Sequence, residues 1–178
     1  ILFLGDVVGI SGCSKLLYNL PTQIKNKKID FVIVNGENAD ETGVGLTKEI
    51  CEKFFNCGVN VITSGNHVWD QKDIMNYIDI ENRLLRPKNL FEPAPGKGFE
   101  VYNTVNNLKV GVLNLMGNVF MKKCNDVFET AHQFINKFKL KKDYDFLIVD
   151  FHGEITSEKN AIGHLFDGKA TLVIGTHT

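Results

Sequence analysis

Apolar residues along this chain fall in short blocks, and each block ends abruptly in polar residues capable of chemistry. The blocks at residues 1–4, 31–34, 59–62, 110–115, 146–149 and 172–174 have the length of buried strands. At their C-terminal sides stand Gly5-Asp6, Asn35-Gly36-Glu37-Asn38, Ser64-Gly65-Asn66-His67, Asp150-Phe151-His152 and Gly175-Thr176-His177. Between the blocks the spacing turns helical. Over residues 47–57, Ile50/Phe54 and Cys51/Phe55 recur at i, i+4, with Thr47 as N-cap and Gly58 as a left-handed stop. Residues 126–138 repeat the pattern, with Val127, Ala131, Phe134, Ile135 and Phe138 on one face. Residues 99–105 and 108–115 are both strand-like and meet at Asn106-Asn107, which predicts a hairpin. The pattern predicts an α/β fold with one antiparallel excursion. The cluster Pro87, Pro93, Pro95, Gly96 and Gly98 reads as a surface connection, so residues 1–178 form one domain.

Composition narrows the function classes. With 43% hydrophobic and 23% charged residues and a net charge of −1, the chain is neither a disordered tail, a collagen-like rod nor a disulfide knot. Near-neutral charge argues against an extended nucleic-acid surface, and no apolar run approaches a membrane span. Cys13, Cys51, Cys57 and Cys124 form no Cys-x-x-Cys pair, and Cys51 falls on the apolar side of a helix. These features point to a reducing, cytoplasmic setting. The chain opens on Ile1 inside an apolar block and stops at Thr178 just after another, so a domain clipped at its C-terminus is expected.

In open α/β sheets, ligands bind beyond the C-terminal ends of the strands. Five strand ends here deliver carboxylate, amide and imidazole groups to that edge. Such a set suits manganese, iron or zinc and disfavours purely oxygen-liking magnesium or calcium. With this many ligands, two ions about 3.5–4 Å apart fit better than one, and Glu37 could bridge them.

Simpler readings stand beside these. Asp70 reads as a turn or cap residue. The glycines of residues 5–12 lack the Gly-Lys-Ser/Thr of a phosphate loop, and Gly43-Val44-Gly45 lacks the third glycine of a dinucleotide fingerprint. Arg83 and Arg86 are either a phosphate clamp or a solvated turn. Trp69 reads as a packed anchor, and His132 and His164 as surface or packing residues. The lysine runs at 25–28 and 137–142 lie at expected helix C-termini, where cations offset the dipole.

Gly5-Asp6-Val7-Val8-Gly9, Asn35-Gly36-Glu37-Asn38, Gly65-Asn66-His67-Val68-Trp69-Asp70, Asp150-Phe151-His152-Gly153-Glu154 and Gly175-Thr176-His177 together resemble the calcineurin-like metallophosphoesterases. The YmdB-like branch is the nearer likeness, which Thr156-Ser157-Glu158-Lys159 and Arg83-Leu84-Leu85-Arg86-Pro87 extend. The resemblance implies a layered αββα sandwich, here without its C-terminal strands. It implies two transition-metal ions, iron or manganese ahead of zinc, and hydrolysis of small phosphodiesters, cyclic nucleotides first, by metal-bound hydroxide. By residue, Asp6 would bind the first ion and Glu37 both. Asn38 would add an amide ligand or a substrate contact, while Asn66, His152 and His177 would complete the second site. His67 would act as general acid at the leaving group. Val8 stands where the wider family has His, as in the YmdB-like branch. The family's last motif is Gly-x-His-x-His, and the chain stops one residue before the final His. A phosphomonoesterase on the same centre and a regulatory metal-binding protein remain the alternatives. The implied partner is a small phosphoester, a nucleotide foremost, with a homo-oligomer left open.

Overall fold

The structure, a computed structural model, describes residues 1–91 and 93–178. Two sheets lie face to face. The first is parallel, in the order β1 (Leu2–Leu4), β2 (Val32–Asn35), β3 (Val61–Thr63). The second runs β4 (Phe99–Asn103), β5 (Lys109–Met116), β6 (Phe146–Gly153), β7 (Leu172–His177), with β4 antiparallel and the rest parallel. The hairpin expected around Asn106-Asn107 is the β4–β5 pair, and Asn107 takes the left-handed φ of 58° its turn requires.

Strand periodicity explains the layers. In β2, Val32 and Val34 face the helices while Ile33 faces the other sheet; in β5, Val110 and Val112 face inward while Leu113 and Leu115 face outward. Phe31, Ile33, Val61, Leu85, Val110, Val112 and Ile148 therefore form the layer between the sheets. Outside the first sheet pack α1 (Gly9–Lys27), α2 (Lys48–Asn56) and α3 (Ile74–Ile80), through residues such as Leu16, Leu20, Cys51, Phe54, Ile74 and Ile78. Outside the second pack α4 (Val127–Lys137) and α5 (Thr156–Leu165), through Val127, Ala131, Phe134 and Ile162. This is the expected αββα sandwich.

Local chemistry sets the helix ends. The Thr47 side chain accepts from Ile50 N at 3.3 Å, and the Asp126 side chain accepts from Glu129 N at 2.7 Å. The helix ending at the lysines of 25–28 begins as early as Gly9, over the glycines weighed as a phosphate loop. Its stripe of Cys13, Leu16, Leu17, Leu20 and Ile24 outweighs Gly12 and the solvent-facing Pro21. The third strand runs Val61–Thr63, slightly later than expected, because Asn60 is held at the rim by Val32.

At one level the layer between the sheets turns polar. Moving two residues along each strand from Ile33, Val61, Val112 and Ile148 reaches Asn35, Thr63, Asn114 and Asp150, all fully buried. That step marks the C-terminal edge, where the candidate site lies. Truncating the inner layer without touching the polar one, by Ile33→Ala, removes fully buried methyl groups. A stability loss of about 2–5 kcal/mol is expected, read as a lower urea midpoint at unchanged slope.

Candidate metal centre

The polar level is a hydrogen-bonded latch around Asp150, whose two oxygens are engaged from both sheets. Oδ2 accepts from Asn35 Nδ2 (2.9 Å) and Thr63 Oγ1 (2.5 Å), and Oδ1 accepts from Thr176 Oγ1 (2.7 Å). Burial pushes the Asp150 carboxyl up from its ordinary value, while the donors from Thr176, Thr63 and Asn35 oppose that rise.

Immediately beyond it, Asp6 and Glu37 in turns and His152 and His177 at strand ends come together, with one ligand atom from each all within 4.8 Å of one another. Glu37 and His152 are fully buried. Glu37 Oε1 lies 2.7 Å from His152 Nε2, 3.9 Å from His177 Nδ1 and 3.2 Å from Asn38 Nδ2, while Oε2 accepts from His67 N at 3.2 Å. Asn66 Oδ1 is 3.1 Å from His152 Nε2, and Asp6 Oδ1 accepts from His177 N at 3.2 Å. All six expected ligand residues thus meet in one cluster, from the turns after β1, β2 and β3 and from the ends of β6 and β7. Burial disfavours charge on Glu37, but the hydrogen bond and charge of His152, with the His67 amide, hold its carboxyl below the usual range. The His152 imidazole, though buried, is pushed up by Glu37 first and then by Asp150 and Asp6.

Gly65 makes the approach feasible. A Cβ there would fall on Glu37 Oε2 and on the His152 imidazole. The cradle and the donor set of carboxylates, imidazoles and amides, with no thiolate among them, fit transition-metal ions.

His67, partly exposed, sits beside Glu37. Its Nδ1 lies 2.5 Å from Asp70 Oδ2, and Asp70 Oδ1 accepts from Lys122 Nζ at 3.0 Å. Asp70 is therefore not merely a turn residue: burial opposes its charge, but His67 and Lys122 hold its carboxyl below the ordinary value. Sequence reading gave no role to Glu154, whose Oε2 is 2.9 Å from His177 Nε2, or to the latch residues Asn35, Asp150 and Thr176, and did not name Thr63. One signal was present: Asp150 and His152 stand two apart on one strand and so share a face.

Neither arginine reaches this cluster. Arg83 pairs with Glu81 (2.6 Å) and stacks on Phe55 (3.8 Å to the ring centre). Arg86 is buried and donates to the carbonyls of Pro87 (3.0 Å), Ala94 (3.2 Å) and Pro95 (3.2 Å), tying down the proline-rich connection; the solvated-turn reading fails for it too. Trp69 packs on the first sheet's outer core, and His132 and His164 are exposed, as expected.

A four-layer sandwich with Asp, Glu, Asn and His at the strand ends of both sheets has the metallophosphoesterase architecture. Residues 2–178 match the model of the YmdB-like protein family, and the chain belongs to that family. It is 42% identical, over all of its 178 residues, to a Bacillus subtilis protein named 2′,3′-cyclic-nucleotide 2′-phosphodiesterase. The match spans 66% of that relative's length. Among solved structures, a hypothetical protein of Thermus thermophilus superposes with a TM-score of 0.90 at 34% identity, covering 99% of this chain and 67% of that one. A Mycoplasma pneumoniae protein described as a novel phosphatase gives a TM-score of 0.88 at 39% identity, covering 99% and 63%.

Gly65→Ala tests the cradle. The variant is expected to keep its secondary structure by circular dichroism yet lose most bound metal after dialysis, measured by plasma mass spectrometry.

Proposed function

We propose that this chain carries the active centre of a metal-dependent phosphodiesterase acting on small phosphodiesters, with cyclic nucleotides foremost. The observation that supports the reading most directly is Glu37. It is buried, with one oxygen toward His152 and His177 and the other toward the His67 turn, as a carboxylate shared by two ions should be. Asp6 and Glu37 would hold a first ion, and Glu37, Asn66, His152 and His177 a second, with Asn38 adding an amide oxygen or touching substrate. Iron or manganese suits these donors best, with zinc next. When bound, the ions would activate water and neutralise charge building on the phosphoryl group. The name of the Bacillus relative supports cyclic nucleotides as substrates. The four free thiols fit a cytoplasmic setting.

His67 supplies the proton. Asp70 engages Nδ1 at 2.5 Å and orients the ring, which leaves Nε2 to serve the departing oxygen. Lys122 keeps Asp70 ionised and in place. Asp70 acts through His67 and is a positioning residue.

Turnover of bis-p-nitrophenyl phosphate should require added Mn²⁺ and stop with EDTA. Glu37→Gln should abolish it, and His67→Ala should lower kcat by about 10²–10⁴-fold. Undiminished turnover in Glu37→Gln would sink the reading. Faster hydrolysis of p-nitrophenyl phosphate than of a 2′,3′-cyclic nucleotide would replace the diesterase with a monoesterase.

For Asp70→Asn, kcat is expected to fall by at least about tenfold on substrates with poor leaving groups and much less on p-nitrophenyl esters, whose departure needs little protonation. Equal losses on both would assign Asp70 a purely structural part.

A further inference from the structure

Within the latch, the hydrogen bonds leave little freedom about where the protons sit. Asn35 Oδ1 accepts from Glu37 N (3.2 Å), which fixes the orientation of its amide and turns Nδ2 toward Asp150 Oδ2 (2.9 Å). Oδ2 is thus an acceptor, and it also receives the Thr63 hydroxyl. Oδ1 has Thr176 Oγ1 at 2.7 Å, and Thr176 Oγ1 has His152 Nδ1 at 2.9 Å. A threonine hydroxyl carries one proton. Given to the carboxylate, it leaves Oγ1 only lone pairs, one toward Asn35 Nδ2 (3.3 Å) and one to accept from the imidazole.

We propose that Asp150 and Thr176 are positioning residues for metal binding, locking His152 as the Nδ1–H tautomer. With the Nδ1 proton held by Thr176, Nε2, which hydrogen-bonds Glu37 and faces Asn66 here, is the nitrogen left to coordinate once an ion displaces its proton. The relay is built into the strand register. Thr176 is the cross-strand partner of His152, and Asp150 shares its face two residues earlier on β6. A carboxylate commonly backs a metal-bound histidine directly; here a hydroxyl stands between, and the carboxylate also joins the two sheets. With the relay reversed, the proton would sit on Nε2 and block the coordinating atom. The inference rests on the metal-centre reading above, but concerns ion binding rather than turnover.

The test reads proton position and ion affinity. In the Zn²⁺-loaded wild-type protein, long-range ¹⁵N–¹H spectra should show His152 protonated at Nδ1 and coordinated through Nε2; protonation at Nε2 overturns the proposal. Thr176→Val keeps the shape but removes the hydroxyl, and should weaken Mn²⁺ or Zn²⁺ binding by about 10–100-fold. Asp150→Asn should weaken it similarly, because the new amide would donate to Thr176 and reverse the relay. Thr176→Ser should restore affinity to within about threefold of wild type. Wild-type affinity in a folded Thr176→Val overturns the relay alone. Failure of the wild-type protein to retain any ion overturns the relay and the metal-centre reading together. Should Thr176→Val not fold, the wild-type spectrum still decides.

Discussion

A carboxylate with no access to water holds this molecule together where it matters. Isolated burial of Asp150 would be prohibitive, and it is tolerated because both oxygens are met by donors from β2, β3 and β7. Those donors come from both sheets, so satisfying one charge fixes how the sheets sit against each other. The apolar layer beneath supplies most of the adhesion but little directional preference, since aliphatic contacts tolerate sliding. The polar level supplies the register. Glu37, His152 and His177 inherit their positions from that level, one or two residues farther along the chain.

The three histidines near the edge are treated alike. His152 is backed by Thr176 and Asp150, His177 by Glu154 and His67 by Asp70. In each, one ring nitrogen is engaged by a fixed partner while the other faces the cluster or the space above it. Three imidazoles held in orientation by such partners form a preorganised site, in which little must rearrange when a charged ligand arrives.

Much of this was legible in the sequence because it is local. A block of apolar residues followed at once by Asp6, Glu37, His67, His152 or His177 marks a strand and its chemistry in the same few residues. The α/β class, the hairpin, Thr47 as a cap and the convergence of polar strand ends on one edge follow from such patterns. What escaped depends on partners distant in the chain. Thr63 and Thr176 look like ordinary strand formers, yet each meets Asp150, 87 and 26 positions away. Asp70 looks like a turn residue until Lys122 arrives from 52 positions away. The short α3 and the one-sided α5 carry too few apolar repeats to stand out, and the glycines at the start of α1 conceal a helix held by tertiary packing. Arg86 belongs here also, since two of its carbonyl partners lie in the loop it closes.

The bond from the His177 amide to Asp6 spans 171 positions and joins a turn after the first strand to the end of the last. Asp6 and Glu37 precede the imidazoles of His152 and His177 by more than a hundred positions in the sequence. The early carboxylates alone make a weak, open chelator with no selectivity for softer ions. An ion bound as proposed above would need β7 docked, and so would stabilise sheets already assembled rather than nucleate them.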